Sequence, residues 1–135
     1  MSTTSRAQVT TRQPRVQFTT DGLTGTHYAA MGLAAVTGVV HLYLYYVQGF
    51  LPFLLAGLGF FGAIGLILVL PTYRSWLYLA GIPYTLIQMG GWVVAGMPDF
   101  TLGVADKLVQ TALIVLLVVL YLRERSDETD TDVTE

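Results

Sequence analysis

Residues 101–122 read TLGVADKLVQTALIVLLVVLYL, and this apolar run decides the fold. An α-helix needs about 20 apolar residues to cross a bilayer, so the run predicts a membrane span. It also carries Asp106, Lys107 and Gln110. A charged side chain at mid-bilayer costs about 2.5 to 3.5 kcal/mol on insertion scales. These three residues are therefore candidates for function as well as for structure.

The composition of the whole chain is that of a membrane protein. Hydrophobic residues make up 53% of the 135 residues and charged residues 12%, and the charges avoid the middle of the chain. The absence of cysteine excludes disulfides, thiolate metal sites and dithiol redox chemistry. A net charge of -2, with no basic patch outside the two ends of the chain, argues against nucleic acid as a partner.

Three further apolar runs complete a set of four predicted spans. They cover about residues 26–47, 50–70 and 76–96. The connections between the spans are only a few residues long, so consecutive helices must be antiparallel neighbours. The predicted fold class is all-α, a transmembrane four-helix bundle with up-down-up-down topology. It forms one membrane domain over residues 26–122.

The two ends of the chain are polar. Residues 1–25 lack apolar periodicity and residues 123–135 are rich in carboxylates, so both are expected to be disordered cytoplasmic tails. The first apolar run has no small-x-small cleavage site, which favours an uncleaved span over a signal peptide.

The distribution of basic residues predicts the orientation. All the arginines lie in the two tails or in the connection after the second span, and the other two connections hold no basic residue. Basic segments stay in the cytoplasm, so we predict a multi-pass protein of the cell membrane with both termini cytoplasmic. The arginines are Arg6, Arg12, Arg15, Arg74, Arg123 and Arg125.

Polar side chains on three spans are predicted to share the outer half of the bilayer. At ~1.5 Å of rise per residue, Asp106 lies ~8 Å and Gln110 ~14 Å below the outer end of the fourth span. By the same rise, His41 lies about 9 Å and Gln88 about 12 Å below the outer ends of theirs. Lys107 diverges from Asp106 by ~100° around the helix, and its long stem can reach the outer surface; it is the fifth candidate residue of the polar group.

Three interpretations of this polar group stay open. In the first, the group lines a pocket that opens to the outside, with Asp106 and His41 as a proton-accepting or ligand-binding pair. In the second, the side chains hydrogen-bond to one another and hold the helices in register. In the third, the hydrocarbon begins near Leu108, so that Asp106 and Lys107 lie among the lipid headgroups.

The two histidines raise the question of a haem. His27 and His41 lie on the same predicted helix, ~21 Å apart along its axis, so they cannot ligate one iron in a monomer. No second His, Cys or carboxylate is spaced to complete a metal site. We therefore expect neither a cofactor nor a metal. A redox subunit that binds haem or quinone is the least favoured of three functions for this chain.

The second span carries a stripe of small residues. Ala56, Gly59 and Ala63 lie on one face, with Gly62 and Gly65 beside them. Helices in lipid depend on close packing of this kind. The stripe favours packing within the monomer, and a dimerisation face is the alternative.

Several motifs carry a resemblance to known proteins: the arginine-only N-terminal segment, His-Leu-Tyr at 41–43, Tyr-Thr-Leu-Ile-Gln at 84–88, Gly-Val-Ala-Asp-Lys-Leu-Val-Gln at 103–110, and Arg-Glu-Arg at 123–125 before the acidic end. With these motifs the chain resembles a group of small four-span membrane proteins of unassigned function that halophilic archaea encode. The resemblance covers roughly residues 26–125 and implies no catalytic residues. The chain has a single lysine, and its last ten residues hold five carboxylates, a composition that also suits a high-salt cytoplasm.

From the sequence we therefore predict a non-enzymatic integral membrane protein, an accessory or oligomeric membrane component. The alternative function is a small transporter or channel with a polar pocket in the outer half of the bilayer. The implied partners are the lipid bilayer and either further copies of the chain or a larger membrane complex.

Overall fold

The computed structural model describes residues 18–132, with side chains described as far as residue 127, and this part of the chain is a bundle of four α-helices. The described residues form no strand, and the predicted all-α four-helix fold is confirmed. The elements are α1 (Gly25–Gln48), α2 (Leu51–Val69), a short 3-10 turn (Pro71–Tyr73), α3 (Arg74–Val94) and α4 (Phe100–Asp132).

All four α-helices are long and apolar enough to cross a membrane. The chain is therefore a multi-pass membrane protein. Predicted and observed helices begin and end within a few residues of each other, except at the end of α4. Most of the large apolar side chains outside the core are exposed, as expected of a surface that faces lipid.

Both ends of the described chain lie on one side of the bundle, because four consecutive antiparallel helices return the chain to the side on which it began. α1 packs against α2 and α4, α4 also packs against α3, and α2 and α3 pack against each other least. At the beginning of α1, Thr26 accepts a hydrogen bond of 3.3 Å from Arg123. We call this the inner end and the opposite end, with the α1–α2 and α3–α4 turns, the outer end.

The C-terminal segment differs from its prediction. The sequence predicts a disordered tail from residue 123, whereas α4 continues to Asp132. Arginine and glutamate are good helix formers, and contacts one turn apart support the extension. Arg125 donates to the Tyr121 hydroxyl at 3.1 Å, and Ser126 donates to the carbonyl of Leu122 at 3.0 Å. Residues 133–135 lie outside the described part.

The N-terminal prediction is corrected for residues 18–24, and residues 1–17 lie outside the described part. The Thr19 amide donates to the carbonyl of Leu68 at 2.9 Å. Arg74, which is 6% exposed, donates to the carbonyls of Thr19, Asp21 and Ile67 at 2.9 to 3.0 Å. A buried guanidinium has to satisfy its donors, and here backbone carbonyls of the N-terminal segment and of α2 accept from it.

Glycines let neighbouring helices approach closely. A Cβ on Gly57 would lie 2.7 Å from the Leu42 side chain and 3.0 Å from the carbonyl oxygen of Gly38 on α1. A Cβ on Gly59 would collide with the Tyr84 hydroxyl of α3, whereas one on Gly62 would meet nothing within 4 Å. Gly59 of the predicted stripe therefore packs within the monomer, which is the role that the sequence favours for the stripe over a dimerisation face.

Candidate functional site

A buried hydrogen-bond network joins α1 to α4 in the outer half of the bundle. The Thr37 hydroxyl donates to Asp106 Oδ1 at 2.6 Å, and Gln110 Nε2 donates to the Thr37 hydroxyl oxygen at 3.2 Å. Thr37 and Gln110 are 0% exposed and Asp106 is 4% exposed. The spacing of Asp106 and Gln110, one helical turn apart, lets both side chains reach the same threonine.

Lys107 completes this network, although its long side chain could also have reached the outer surface. Its Nζ lies 2.9 Å from Asp106 Oδ2 and 2.9 Å from Gln110 Oε1. The flexible four-carbon stem bends back across the angle that separates the two adjacent residues. The ammonium also lies 5.9 Å from the ring centroid of Trp92, within the range of a cation–π contact. The buried charges of Asp106 and Lys107 therefore neutralise each other.

His41 lies beside the network but is not hydrogen-bonded to Asp106. Its Nδ1 donates to the carbonyl oxygen of Thr37 at 2.8 Å, because a carbonyl can only accept. Its ring packs against Phe53 and Phe60, with centroids 6.0 and 5.8 Å away. Thr37 thus contacts both members of the predicted pair, through its carbonyl and its hydroxyl.

Gln88 lies on α3, away from the network. Its Nε2 donates to the carbonyl of Tyr84 at 3.3 Å, while its Oε1 is buried and has no hydrogen-bond partner among the described residues. The bond to a carbonyl identifies the donating atom as nitrogen, so the atom without a partner is an acceptor.

The outer half of the bundle contains a cavity of about 390 Å³ between the helices. We call it the outer cavity. His41, Gln88, Asp106 and Lys107 line it, whereas Gln110 lies behind the wall. The structure therefore brings four of the five predicted residues to one cavity. Much of the remaining wall is aromatic or aliphatic and includes Val40, Leu44, Phe50, Phe53, Ala56, Ile87, Trp92 and Leu102.

Residues of the α3–α4 turn line the outer end of the outer cavity, which we call its mouth. Asp99 has a left-handed backbone with φ of 46°, and its carboxylate accepts a hydrogen bond of 2.6 Å from Gln48 at the end of α1. Trp92 donates through Nε1 to the carbonyl of Pro98 at 2.9 Å, and Gly103 leaves room for its indole. Tertiary contacts between α1, α3 and the turn therefore shape the mouth.

The candidate site residues taken from the sequence do not include Thr37, Gln48, Trp92 or Asp99. The sequence does place Thr37 in one helical row with His41, and Trp92 in one with Gln88, and a buried threonine needs a hydrogen-bond partner. Gln48 and Asp99 are far apart in sequence, and no local pattern predicts their contact.

The inner half of the bundle holds a second and much smaller cavity of about 50 Å³, which we call the inner cavity. His27 and Tyr78 line it, and the His27 Nε2 and the Tyr78 hydroxyl have no hydrogen-bond partner among the described residues. Phe60 also lines the inner cavity and packs against His41 of the outer cavity. Its ring therefore stands between the two cavities, and the two histidines face different ones.

The fold and the cavities define a small multi-pass membrane protein with a site of ligand size in the outer half of its helix bundle. No protein-family model matches the chain, and no curated protein or solved structure matches it. The function is therefore argued from the outer cavity.

Proposed function

We propose that the protein is a non-enzymatic small-molecule carrier of the cell membrane and that the outer cavity is its binding site. The observation that carries the proposal is the cavity itself. Its volume of about 390 Å³ falls in the range of about 300 to 1,000 Å³ found for small-molecule pockets. Its largely apolar wall with a few polar groups is also typical of such pockets.

The positions of the two cavities support an outward-open state. Phe60 is 3% exposed, and its ring packs against His41 and Tyr84 at 5.8 and 5.3 Å. Phe60 and Tyr84 line the inner cavity and His41 lines the outer cavity, so these rings separate the two, and the inner cavity is only about 50 Å³. A carrier with a closed inner gate and an open outer site has this arrangement.

The distribution of arginines supports the orientation that the proposal needs. Both described ends of the chain lie at the inner end, together with Arg74 and Arg123. Basic segments favour the cytoplasmic side, so the outer cavity would face the outside. The single lysine and the acidic C-terminal end further support a host with a high-salt cytoplasm, as in halophilic archaea.

A second candidate function, an accessory or oligomeric membrane component, is favoured by the completeness of the buried network. Both oxygens of Asp106 and both polar atoms of Gln110 have partners within the network. Polar groups that satisfy one another in this way stabilise helix packing without any ligand.

Cysteine labelling tests the proposal, because the natural chain contains no cysteine. Gly91 lines the outer cavity, whereas its neighbour Gly90 does not, and a Cβ at either position would meet nothing within 4 Å. A membrane-impermeant methanethiosulfonate reagent applied outside intact cells should modify Gly91→Cys at least tenfold faster than Gly90→Cys. Equal rates for the two variants would contradict a site open to the outside.

Inverted membrane vesicles then separate a carrier from the second candidate. A carrier exposes its site alternately to the two sides, so Gly91→Cys should also react, more slowly, with reagent applied to the cytoplasmic face. Labelling from the outside alone would overturn the carrier and favour the accessory component.

A further inference from the structure

The side of the outer cavity between α2 and α3 has the least helix packing in the bundle. These two helices pack against each other least among the neighbouring pairs. At the level of Tyr84 they are joined, because its hydroxyl donates to the carbonyl of Ala56 at 3.0 Å and lies against Gly59. From Tyr84 towards the outer end, both helices form walls of the cavity, and we call the space between them the α2–α3 gap.

Residues on these two walls also face the surroundings of the protein. Ile87 on α3 and Phe50 at the start of α2 line the cavity and are 73% and 55% exposed. Ile87 lies about 10 Å below the end of α3 at Val94, by helical rise. The α2–α3 gap is therefore at the depth of the hydrocarbon of the outer leaflet, where the surroundings are lipid.

The charges in the cavity select against charged ligands. Each oxygen of Asp106 already accepts a hydrogen bond, and the Lys107 ammonium 2.9 Å away neutralises the carboxylate, so a cation would gain little attraction and would meet a like charge there. An ammonium group has three donors, and Lys107 directs two of them to Asp106 and Gln110. The Lys107 side chain is 14% exposed and lines the cavity, so its third N–H can serve an acceptor on a ligand.

We propose that the outer cavity takes up its ligand from the bilayer through the α2–α3 gap, and that this ligand is an uncharged amphiphile. Its head accepts a hydrogen bond from Lys107, and its apolar body packs against Trp92, Phe53 and Ile87. The inference rests on the proposed binding site and adds the class of ligand and its route. A charged molecule would have to cross hydrocarbon to use the same gap, at a high cost in desolvation.

The experiment uses Trp92 as a reporter in the full-length protein. The chain has two tryptophans, and Trp76→Phe leaves Trp92, at the wall of the cavity, as the only one. Bromoundecanol, an uncharged amphiphile whose bromine quenches tryptophan on contact, is added to phosphatidylcholine vesicles that contain this variant. Saturable quenching is expected, while brominated phosphatidylcholine at the same bromine content should quench weakly and without saturation.

Two matched comparisons test the site and the charge. Gly91→Phe fills the cavity and should abolish saturation, whereas Gly90→Phe adds the same bulk outside the cavity and should preserve it. Bromoundecyl trimethylammonium carries the same chain with a cationic head and should not give saturable quenching. Saturable quenching by the cation equal to that by the alcohol would overturn the proposed class of ligand.

A block at the mouth tests the route. Gln48 is exposed and lines the mouth of the cavity, so Gln48→Cys can be labelled with a bulky maleimide. Saturable quenching should persist at an unchanged rate after labelling. Loss of saturable quenching after labelling would mean that the ligand enters from water. That result would refute the bilayer route but would not contradict the proposed carrier. The bromoundecanol result is also compared with the cysteine labelling: if Gly91→Cys reacts from outside but bromoundecanol gives no saturable quenching, the proposed class of ligand is refuted and the proposed binding site is not.

Discussion

The outer and inner halves of the bundle both bury charge, but they satisfy it in different ways. In the outer half, Lys107 and Asp106 lie 2.9 Å apart, Asp106 also accepts from Thr37 and Lys107 also donates to Gln110, beside a cavity of about 390 Å³. In the inner half, Arg74 donates to three backbone carbonyls, and the nearby inner cavity is about 50 Å³.

The difference shows how one small bundle separates stability from a binding site. Backbone carbonyls at the inner end receive a cation and attach the N-terminal segment, so the helices there close around an apolar core. Side chains at the outer end neutralise each other along one wall of the outer cavity. The other side of the cavity lies between α2 and α3, which pack against each other least. Four substitutions test this difference between the two halves.

The largest effect is expected for Asp106→Ala. Removal of one partner of a buried ion pair leaves the other charge uncompensated, at a cost of about 3 to 5 kcal/mol. The free energy of unfolding in detergent should fall by about this amount. The control is Asp99→Asn, which removes an exposed charge at the mouth, keeps a side chain that tolerates the left-handed backbone there, and should cost under about 0.5 kcal/mol. Equal losses for both variants would mean that the outer network carries no special stability.

Arg74→Ala should be the next most damaging, with a loss of about 2 to 3 kcal/mol, because it removes three charge-assisted hydrogen bonds. Hydrogen exchange at the Thr19 amide should accelerate, since that amide belongs to the segment that Arg74 holds. Arg123→Ala, which removes an exposed bond to Thr26, is the control. Unchanged exchange at Thr19 would show that the N-terminal segment is held without Arg74.

Gly59→Ala should destabilise the protein by about 1 to 3 kcal/mol, as overpacking does elsewhere. The new methyl group would displace the Tyr84 hydroxyl and break its bond to the carbonyl of Ala56. Gly62→Ala, on the same helix in open space, should instead be neutral or stabilise by up to about 1 kcal/mol through helix propensity. Thermal unfolding that ranks the two variants in the opposite order would refute the contact between α2 and α3.

The smallest effect is expected for Thr37→Val, about 1 kcal/mol. The valine keeps the volume but removes the hydroxyl that donates to Asp106 and accepts from Gln110. Thr37→Ser restores the hydroxyl and should regain most of the loss in unfolding free energy. A serine variant as unstable as the valine variant would show that the methyl group, and not the hydrogen bonds, matters at this position.

The sequence analysis reached the membrane class, the number of helices and the topology, because those follow from the length of apolar runs and the shortness of connections. It also placed Asp106, His41, Gln88 and Gln110 in the outer half of the bilayer, because helical rise converts sequence position into height. It did not predict the contacts of Lys107, since a long side chain can bend towards a partner that helical angle alone does not reveal.

What the sequence determined by itself is the partition of the chain between lipid and water, since each residue contributes to it locally and additively. Only the tertiary structure decided that Thr37 joins Asp106, that Gln110 lies behind the wall, and that α2 and α3 leave a gap. Such features depend on the rotation of each helix about its axis and on side-chain fit across helices. Apolar composition constrains neither the rotation of a helix nor its fit to its neighbours, because almost any face of an apolar helix such as α2 is equally stable in contact with lipid.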